Sequence, residues 1–267
     1  MNILVCVKQV PDTTEIKIDP VTNTLIRQGV PSIVNPFDGY ALEAAARIKD
    51  QNPDTKIVVA SMGPPQAEAA LRDCLAVGAD KAYLISGREF GGSDTLATSY
   101  ILMNSIKKLE ELEGKFDAIF FGKQAIDGDT AQVGPETAEW LGYPQVTYGL
   151  EAFLEGDKFK INKEVEEGVL VVEIQMPCVV TFTKPSFDPR NPSIKSRMKA
   201  RKAEITVISA ADLPSIDLTM CGLKGSPTRV KSTYVPPRKQ GGVKIQEETA
   251  EASAKKLFGM LNDANII

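Results

Sequence analysis

The segment Asp117-Ala-Ile-Phe-Phe-Gly122-Lys-Gln-Ala-Ile-Asp127-Gly-Asp129-Thr-Ala-Gln132-Val-Gly134 brings together residue types that can hold an anion. Gly128 stands between two aspartates, and Thr130 and Gln132 follow with polar side chains. Glycine lets a backbone come close to a ligand, and the N–H groups of a helix's first turn point at whatever lies beyond them. That chemistry needs a strand, a loop and a helix N-terminus in order. Ala118 to Phe121 read as a buried strand closed by Gly122, and Thr130 to Leu141 read as a helix, with Ala131, Val133, Ala138 and Leu141 small or apolar. Pro135 is awkward inside that helix and predicts a kink or a late start. The pattern is neither a Walker A nor a GxGxxG loop, and an ordinary strand–loop–helix connection would use the same residue types.

Composition narrows the chemistry further. The 267 residues contain no histidine, which removes Ser-His and Cys-His nucleophiles and His-bearing metal sites. Cys6, Cys74, Cys178 and Cys221 are scattered without CxxC spacing. Cys6 and Cys178 lie in apolar stretches, where cysteine behaves as a small hydrophobe, and a reduced compartment fits. A net charge of -4 argues against nonspecific nucleic-acid binding. No apolar run approaches a membrane span of about 18 residues, and a strand from Ile3 leaves no room for a signal peptide. The expectation is a cytoplasmic protein with one large core, 43% of its residues hydrophobic.

The elements that must position the segment alternate along the first half. Strands are expected at Ile3–Val7, Ile57–Ala60, Ala82–Ile85 and Ala118–Phe121. A long polar excursion separates Val7 from about Val34. Helices are expected from Asp38 to Ile48, with Ala41, Leu42, Ala45 and Ile48 on one face, and from Gln66 to Val77. A third runs from a Ser93 or Asp94 cap to about Leu112. Apolar strands alternating with amphipathic helices predict an α/β fold, a parallel sheet flanked by helices in the Rossmann-like manner. Ligands of such sheets lie beyond the C-terminal strand ends, where the loops after Val7, Ala60 and Phe121 converge.

The second half is β-rich, with strands expected at 146–153, 158–161, 169–174 and 179–183. Pro185 to Pro192 hold three prolines in eight residues and read as an irregular exposed loop, followed by the basic run Lys195 to Lys202. Pro236, Pro237, Gly241 and Gly242 read as a linker before a helix from about Glu247 to Leu261. The expected organisation is a nucleotide-binding domain over 1–235, and over 236–267 a linker and C-terminal helical arm that packs on another subunit.

These residues resemble the beta subunit of electron transfer flavoprotein. The resemblance covers essentially the whole chain. It rests on Val5-Cys-Val-Lys-Gln-Val-Pro-Asp-Thr13, Asn35-Pro36-Phe37-Asp38, Gly122-Lys-Gln-Ala-Ile-Asp127, the Glu166 to Pro177 segment and Met198-Lys-Ala200. It implies a heterodimer with an alpha subunit that holds an electron-transferring FAD. Ordinary members bury AMP in the beta subunit. In a flavin-bifurcating subgroup a second FAD takes that place, accepts hydride from NADH, and splits the pair between a low-potential carrier such as ferredoxin and a higher-potential acceptor. The loop Asp127-Gly-Asp-Thr-Ala-Gln-Val-Gly-Pro135 and Gly222-Leu-Lys-Gly-Ser-Pro-Thr-Arg229 are similar to the bifurcating form.

The resemblance assigns cofactor-binding roles to particular residues. Gly122, Lys123 and Gln124 belong to the site, and Gly128, Thr130, Ala131, Gln132 and Val133 offer N–H groups to phosphates. Asp127 and Asp129 repel phosphate, so they are expected to cap the helix or bind ribose hydroxyls. Cys6, Asn35, Pro36, Phe37, Asp38 and Met62 surround the adenosine; for Asp38 a plain helix cap is an equal reading. Ser226, Thr228 and Arg229 are flavin-side candidates, with Arg229 placed to stabilise charge on a reduced ring or simply solvated. The loop Pro185 to Arg197 resembles one that docks a partner dehydrogenase of the acyl-CoA dehydrogenase type. Its apolar anchor is Ile194, for which a core contact is the bland alternative. Two other functions stay open: a nonbifurcating subunit with structural AMP, and an adenine-nucleotide-binding regulatory module.

Overall fold

A computed structural model describes residues 1–12, 31–231 and 241–267. Contacts divide these residues into two units: 1–12 with 31–231, and 241–267. Thr13 of the first motif and the expected linker prolines Pro236 and Pro237 lie outside the described residues.

In the first unit, β1 (Asn2–Cys6), β2 (Gln9–Pro11) and β3 (Ser32–Val34) precede α1 (Pro36–Gln51) and β4 (Lys56–Met62). Then come α2 (Glu68–Ala76), β5 (Lys81–Ile85), α3 (Thr95–Glu113), β6 (Ala118–Gly122) and α4 (Val133–Leu141). The second half supplies β7 (Gln145–Glu155), β8 (Lys158–Val165), β9 (Gly168–Gln175), β10 (Cys178–Phe182), α5 (Ile194–Lys202), β11 (Thr206–Ile208) and α6 (Gly222–Gly225). One nine-stranded sheet runs in the order β11-β5-β4-β1-β6-β10-β7-β8-β9. It is parallel from β11 to β7 and ends in an antiparallel meander through β8 and β9.

The apolar strands earn their burial on both faces. Ile3, Val5, Phe120 and Val180 pack with Ala41 and Leu42 of α1 and Leu71 of α2. Leu4, Cys6, Ile119 and Val179 pack on the other face with Tyr100 and Ile101 of α3 and Ala138 of α4. Alternate residues of one strand therefore serve two separate cores, which is why these strands read as continuous apolar runs. Asp94 caps α3 as expected, its side chain accepting from Ala97 N–H.

The β-rich second half is borne out, and it joins the central sheet, with β10 between β6 and β7. Other expectations are corrected. The presumed polar excursion after Val7 contains β2, which pairs antiparallel with β3. The basic run lies on the helix α5, which begins at Ile194, so residues 194–197 leave the predicted loop. β11 extends the sheet edge beyond β5 in register Thr206 with Tyr83. In the second unit, α7 (Ala250–Asp263) is capped by the Thr249 side chain accepting from Ala252 N–H, and within that unit Leu257 and Phe258 are exposed. No described helix is long and apolar enough to cross a membrane.

Candidate functional site

β1 and β6 are parallel neighbours whose following helices lie on opposite faces of the sheet. α1 covers the face built on Ile3 and Val5, and α4 covers the face built on Leu4 and Cys6. Their C-terminal ends therefore open a crevice at the point where the strand order reverses, the place where such sheets bind ligands.

Asp38 organises that crevice. It occupies the first turn of α1 and is buried, and it does not cap its own helix. One carboxylate oxygen accepts from Lys8 N–H at 2.7 Å and the other from Gly122 N–H at 3.0 Å. The carboxylate thus ties the ends of β1 and β6 to one helix. Burial pushes Asp38 up to about 7, against the opposing pull of these donors and of Asn35. Asn35 extends the tie: its Nδ2 donates to Gln124 O at 2.8 Å, and its Oδ1 accepts from Ile126 N–H at 3.2 Å. Gly122 is required by this closeness. An added Cβ would lie 2.3 Å from Asp38 Oδ1 and 2.6 Å from the Phe37 carbonyl carbon.

Neighbouring candidates take defined places. Lys123 donates its N–H to Phe182 O at 2.7 Å and sets its ammonium 4.8 Å from the Tyr148 ring, with Phe37 at 6.0 Å. Cys6 ends β1 and Met62 ends β4, so both border the edge. Burial, and secondarily Asp38, push the Cys6 thiol far above its usual range, which makes it a wall and no nucleophile.

The loop after β6 shows the predicted order with one displacement. α4 begins at Val133, three residues later than the residue pattern suggests, which puts Pro135 in the first turn where a missing N–H costs nothing. No side chain caps α4, so of the two expected roles for Asp127 and Asp129 capping is excluded. Asp127 instead pairs with the Lys8 ammonium at 2.7 Å, and Asp129 is exposed. The ion pair offsets the negative charge that would disfavour a phosphate here. Ala131 adopts φ 55° and Gln132 follows in the right-handed region, a turn that aims successive N–H groups into one concavity. The N–H groups of 129–134 have no acceptor among the described residues. Gly128 has no atom within 4 Å of an added Cβ, so its lack of a side chain serves open space. These residues fit an anion held by backbone.

Residues 22–213 match the electron transfer flavoprotein domain. The chain belongs to the electron transfer flavoprotein family. It is 51% identical, across all of both chains, to an electron transfer flavoprotein subunit beta of Megasphaera elsdenii. It is 49% identical, again across all of both chains, to subunit CarD of the caffeyl-CoA reductase-Etf complex of Acetobacterium woodii. Protein FixA of Azorhizobium caulinodans is 44% identical over 95% of this chain and 92% of its own.

In this electron transfer flavoprotein the flavin-side candidates reach the same edge by a route the residues alone do not reveal. Thr228 donates its N–H and hydroxyl to Asp94 Oδ2 at 3.0 and 2.8 Å, and Ser226 Oγ accepts from Asp94 N–H at 2.8 Å. Thr95, next in chain, donates toward Glu136 Oε1 of α4 at 3.2 Å, with Gln132 Oε1 at 3.4 Å. Ser226 and Thr228 are thereby spent on fastening the start of α3, while Arg229 is exposed. Lys8 was missed as a site residue; a lysine directly after the first strand was the signal. Asp94, Thr95 and Glu136 were missed because their partners are distant in sequence.

The second predicted surface also takes shape. Ser193 caps α5, accepting from Ser196 N–H at 3.0 Å, and presents Ile194 at 82% exposure with Met198 at 58%. That rules out the core contact for Ile194. Lys195, Arg197, Lys199, Arg201 and Lys202 are exposed on the same helix.

Proposed function

We propose that this chain is the beta subunit of a flavin-bifurcating electron transfer flavoprotein. In this reading it works in the cytoplasm with an alpha subunit, on which α7 packs. It holds FAD at the β1–β6 crevice and passes electrons from NADH to a partner dehydrogenase of the acyl-CoA dehydrogenase type and to a low-potential carrier such as ferredoxin. Membership in an electron-transfer family supports the coarse role. The reading rests on one observation above the others: N–H groups over 129–134 without an acceptor among the described residues, beside an open Gly128, with the nearby Asp127 already paired. Pyrophosphate fits that run, since backbone donors at a helix start hold anions without a side-chain cation. When bound, FAD supplies the redox chemistry, while the chain binds and orients it. Asn35, Asp38, Cys6 and Met62 would border its adenosine, and the Lys8–Asp127 pair would face its ribose.

Cofactor extraction and chromatography on the purified heterodimer test this. Two FAD and no AMP per heterodimer support the reading; one FAD with one AMP would make the subunit a structural nucleotide carrier. Replacing Gly128 by valine gives a sharper test. The added side chain meets open space in the fold, so the melting temperature is expected to hold while nucleotide content collapses. Normal nucleotide content in Gly128→Val would remove the cradle assignment.

Ile194 is proposed as the docking anchor for the dehydrogenase. Truncating an exposed apolar anchor leaves the fold intact and is expected to slow electron delivery about tenfold, with cofactor content unchanged. Stopped-flow transfer rates for Ile194→Ala that match the parent would reject the role.

A further inference from the structure

Two arginines hold the segment that carries Ile194. Arg72 of α2 donates to the carbonyls of Ala200, Arg201 and Ala203 at 2.9, 3.0 and 3.2 Å, closing the C-terminal end of α5. At the other end, Arg190 stands four residues before Ile194 and reaches back to α1. Its Nε and Nη2 donate to the two carboxylate oxygens of Glu43 at 2.8 and 3.1 Å, and its own backbone N–H donates to Glu43 Oε2 at 3.0 Å. Nη2 and Nη1 also reach the Asp50 carboxylate at 2.7 and 3.3 Å.

A planar guanidinium paired with both oxygens of a carboxylate fixes angle as well as distance, which a lysine cannot do. The Glu43 side chain is only 8% exposed, and Arg190 is its one cationic partner among the described residues. Losing the arginine would strand a buried charge, so the contact is strongly held. Phe187 of the same loop lies under Arg47 of the same helix, 3.8 Å from its guanidinium carbon to the ring centre. α1 therefore grips the crevice through Asp38 at its first turn and grips the loop before α5 through Glu43, Arg47 and Asp50.

We propose that Arg190 is the positioning residue of the docking surface. Its clamp on Glu43 and Asp50 sets Ile194 and Met198 at a fixed place relative to the nucleotide edge, through a single helix. A partner whose apolar pocket is rimmed by carboxylates then engages with its own redox centre in register with that edge. This inference rests on the docking reading of Ile194.

The test compares Arg190→Ala, Arg190→Lys and Ile194→Ala in the heterodimer, with an acyl-CoA dehydrogenase as the electron partner. Arg190→Ala is expected to raise KM for the dehydrogenase about fivefold to tenfold, with kcat and cofactor content near parental values. Amide exchange over 185–194 should quicken in the same variant, and Arg190→Lys should fall between, because charge returns without the fork. If Arg190→Ala unfolds, Asp50→Asn removes the exposed half of the clamp and should move KM in the same direction by less. A KM that stays parental in the Arg190 and Asp50 variants while Ile194→Ala raises it would overturn the positioning role. A parental KM in Ile194→Ala as well would remove the docking reading beneath it.

Discussion

Alanine at Gly122 is expected to cost about 3 kcal/mol of stability and to empty the proposed nucleotide site, because the methyl has nowhere to go. Its Cβ would stand 2.3 Å from Asp38 Oδ1, 2.6 Å from the Phe37 carbonyl carbon and 2.7 Å from Asp38 N. Two of these atoms are backbone at the start of a sixteen-residue helix, so relief requires α1 to move away from the strand ends. That movement would break the Asp38 bonds to Lys8 and Gly122 together. Gly134 provides the comparison. Its added Cβ would meet the Thr181 methyl at 2.6 Å, a side-chain atom with more freedom to turn. Thermal unfolding with nucleotide quantitation would decide the matter. A Gly122→Ala protein with parental melting temperature and full nucleotide would show that the α1–β6 approach is slack.

The second large effect is expected at Asp38. Asparagine has one acceptor oxygen where the carboxylate has two, so either Lys8 N–H or Gly122 N–H must face an NH₂ group. A buried donor left unpaired costs about 1–3 kcal/mol. The pH dependence of that cost has a definite sign. In the unfolded chain the carboxyl ionises near its ordinary value of about 4. In the fold, burial raises it to about 7. The folded state therefore binds the proton more tightly, and the parental protein loses stability as pH rises between the two values. Asp38→Asn has no such proton, so its deficit relative to the parent should be largest near pH 4 and shrink toward pH 7. Denaturant unfolding of both proteins across that range measures it. A deficit that grows with pH would mean that the two N–H donors outweigh burial and hold the carboxyl below its ordinary value.

Both predictions concern contacts that local pattern does not reveal. The three glycines at 122, 128 and 134 look alike in the chain, yet one admits a helix backbone, one borders open space and one packs against a threonine methyl. Asp38 reads as a first-turn acid, and it is one, but its bonding partners stand 30 and 84 residues away. Lys8 and Asp127, 119 residues apart, pair only because β1 and β6 are neighbours. Likewise α5 has no apolar stripe to announce it. Ala200 is its one buried residue, and a serine cap and Arg72 hold its ends.

Apolar runs alternating with amphipathic stretches determined the strands β1, β4, β5 and β6, the helices α1 and α3, and the edge where their loops converge. Burial on both faces leaves a local, periodic record in each element, so those features were legible in residue order alone. The tertiary structure alone decided that β10 lies between β6 and β7, that Asp38 bridges two strand ends, and that Arg190 fastens the segment before α5 to α1. Each depends on which distant residues share a neighbourhood, and hydrogen bonds and ion pairs across such distances leave no period in the chain.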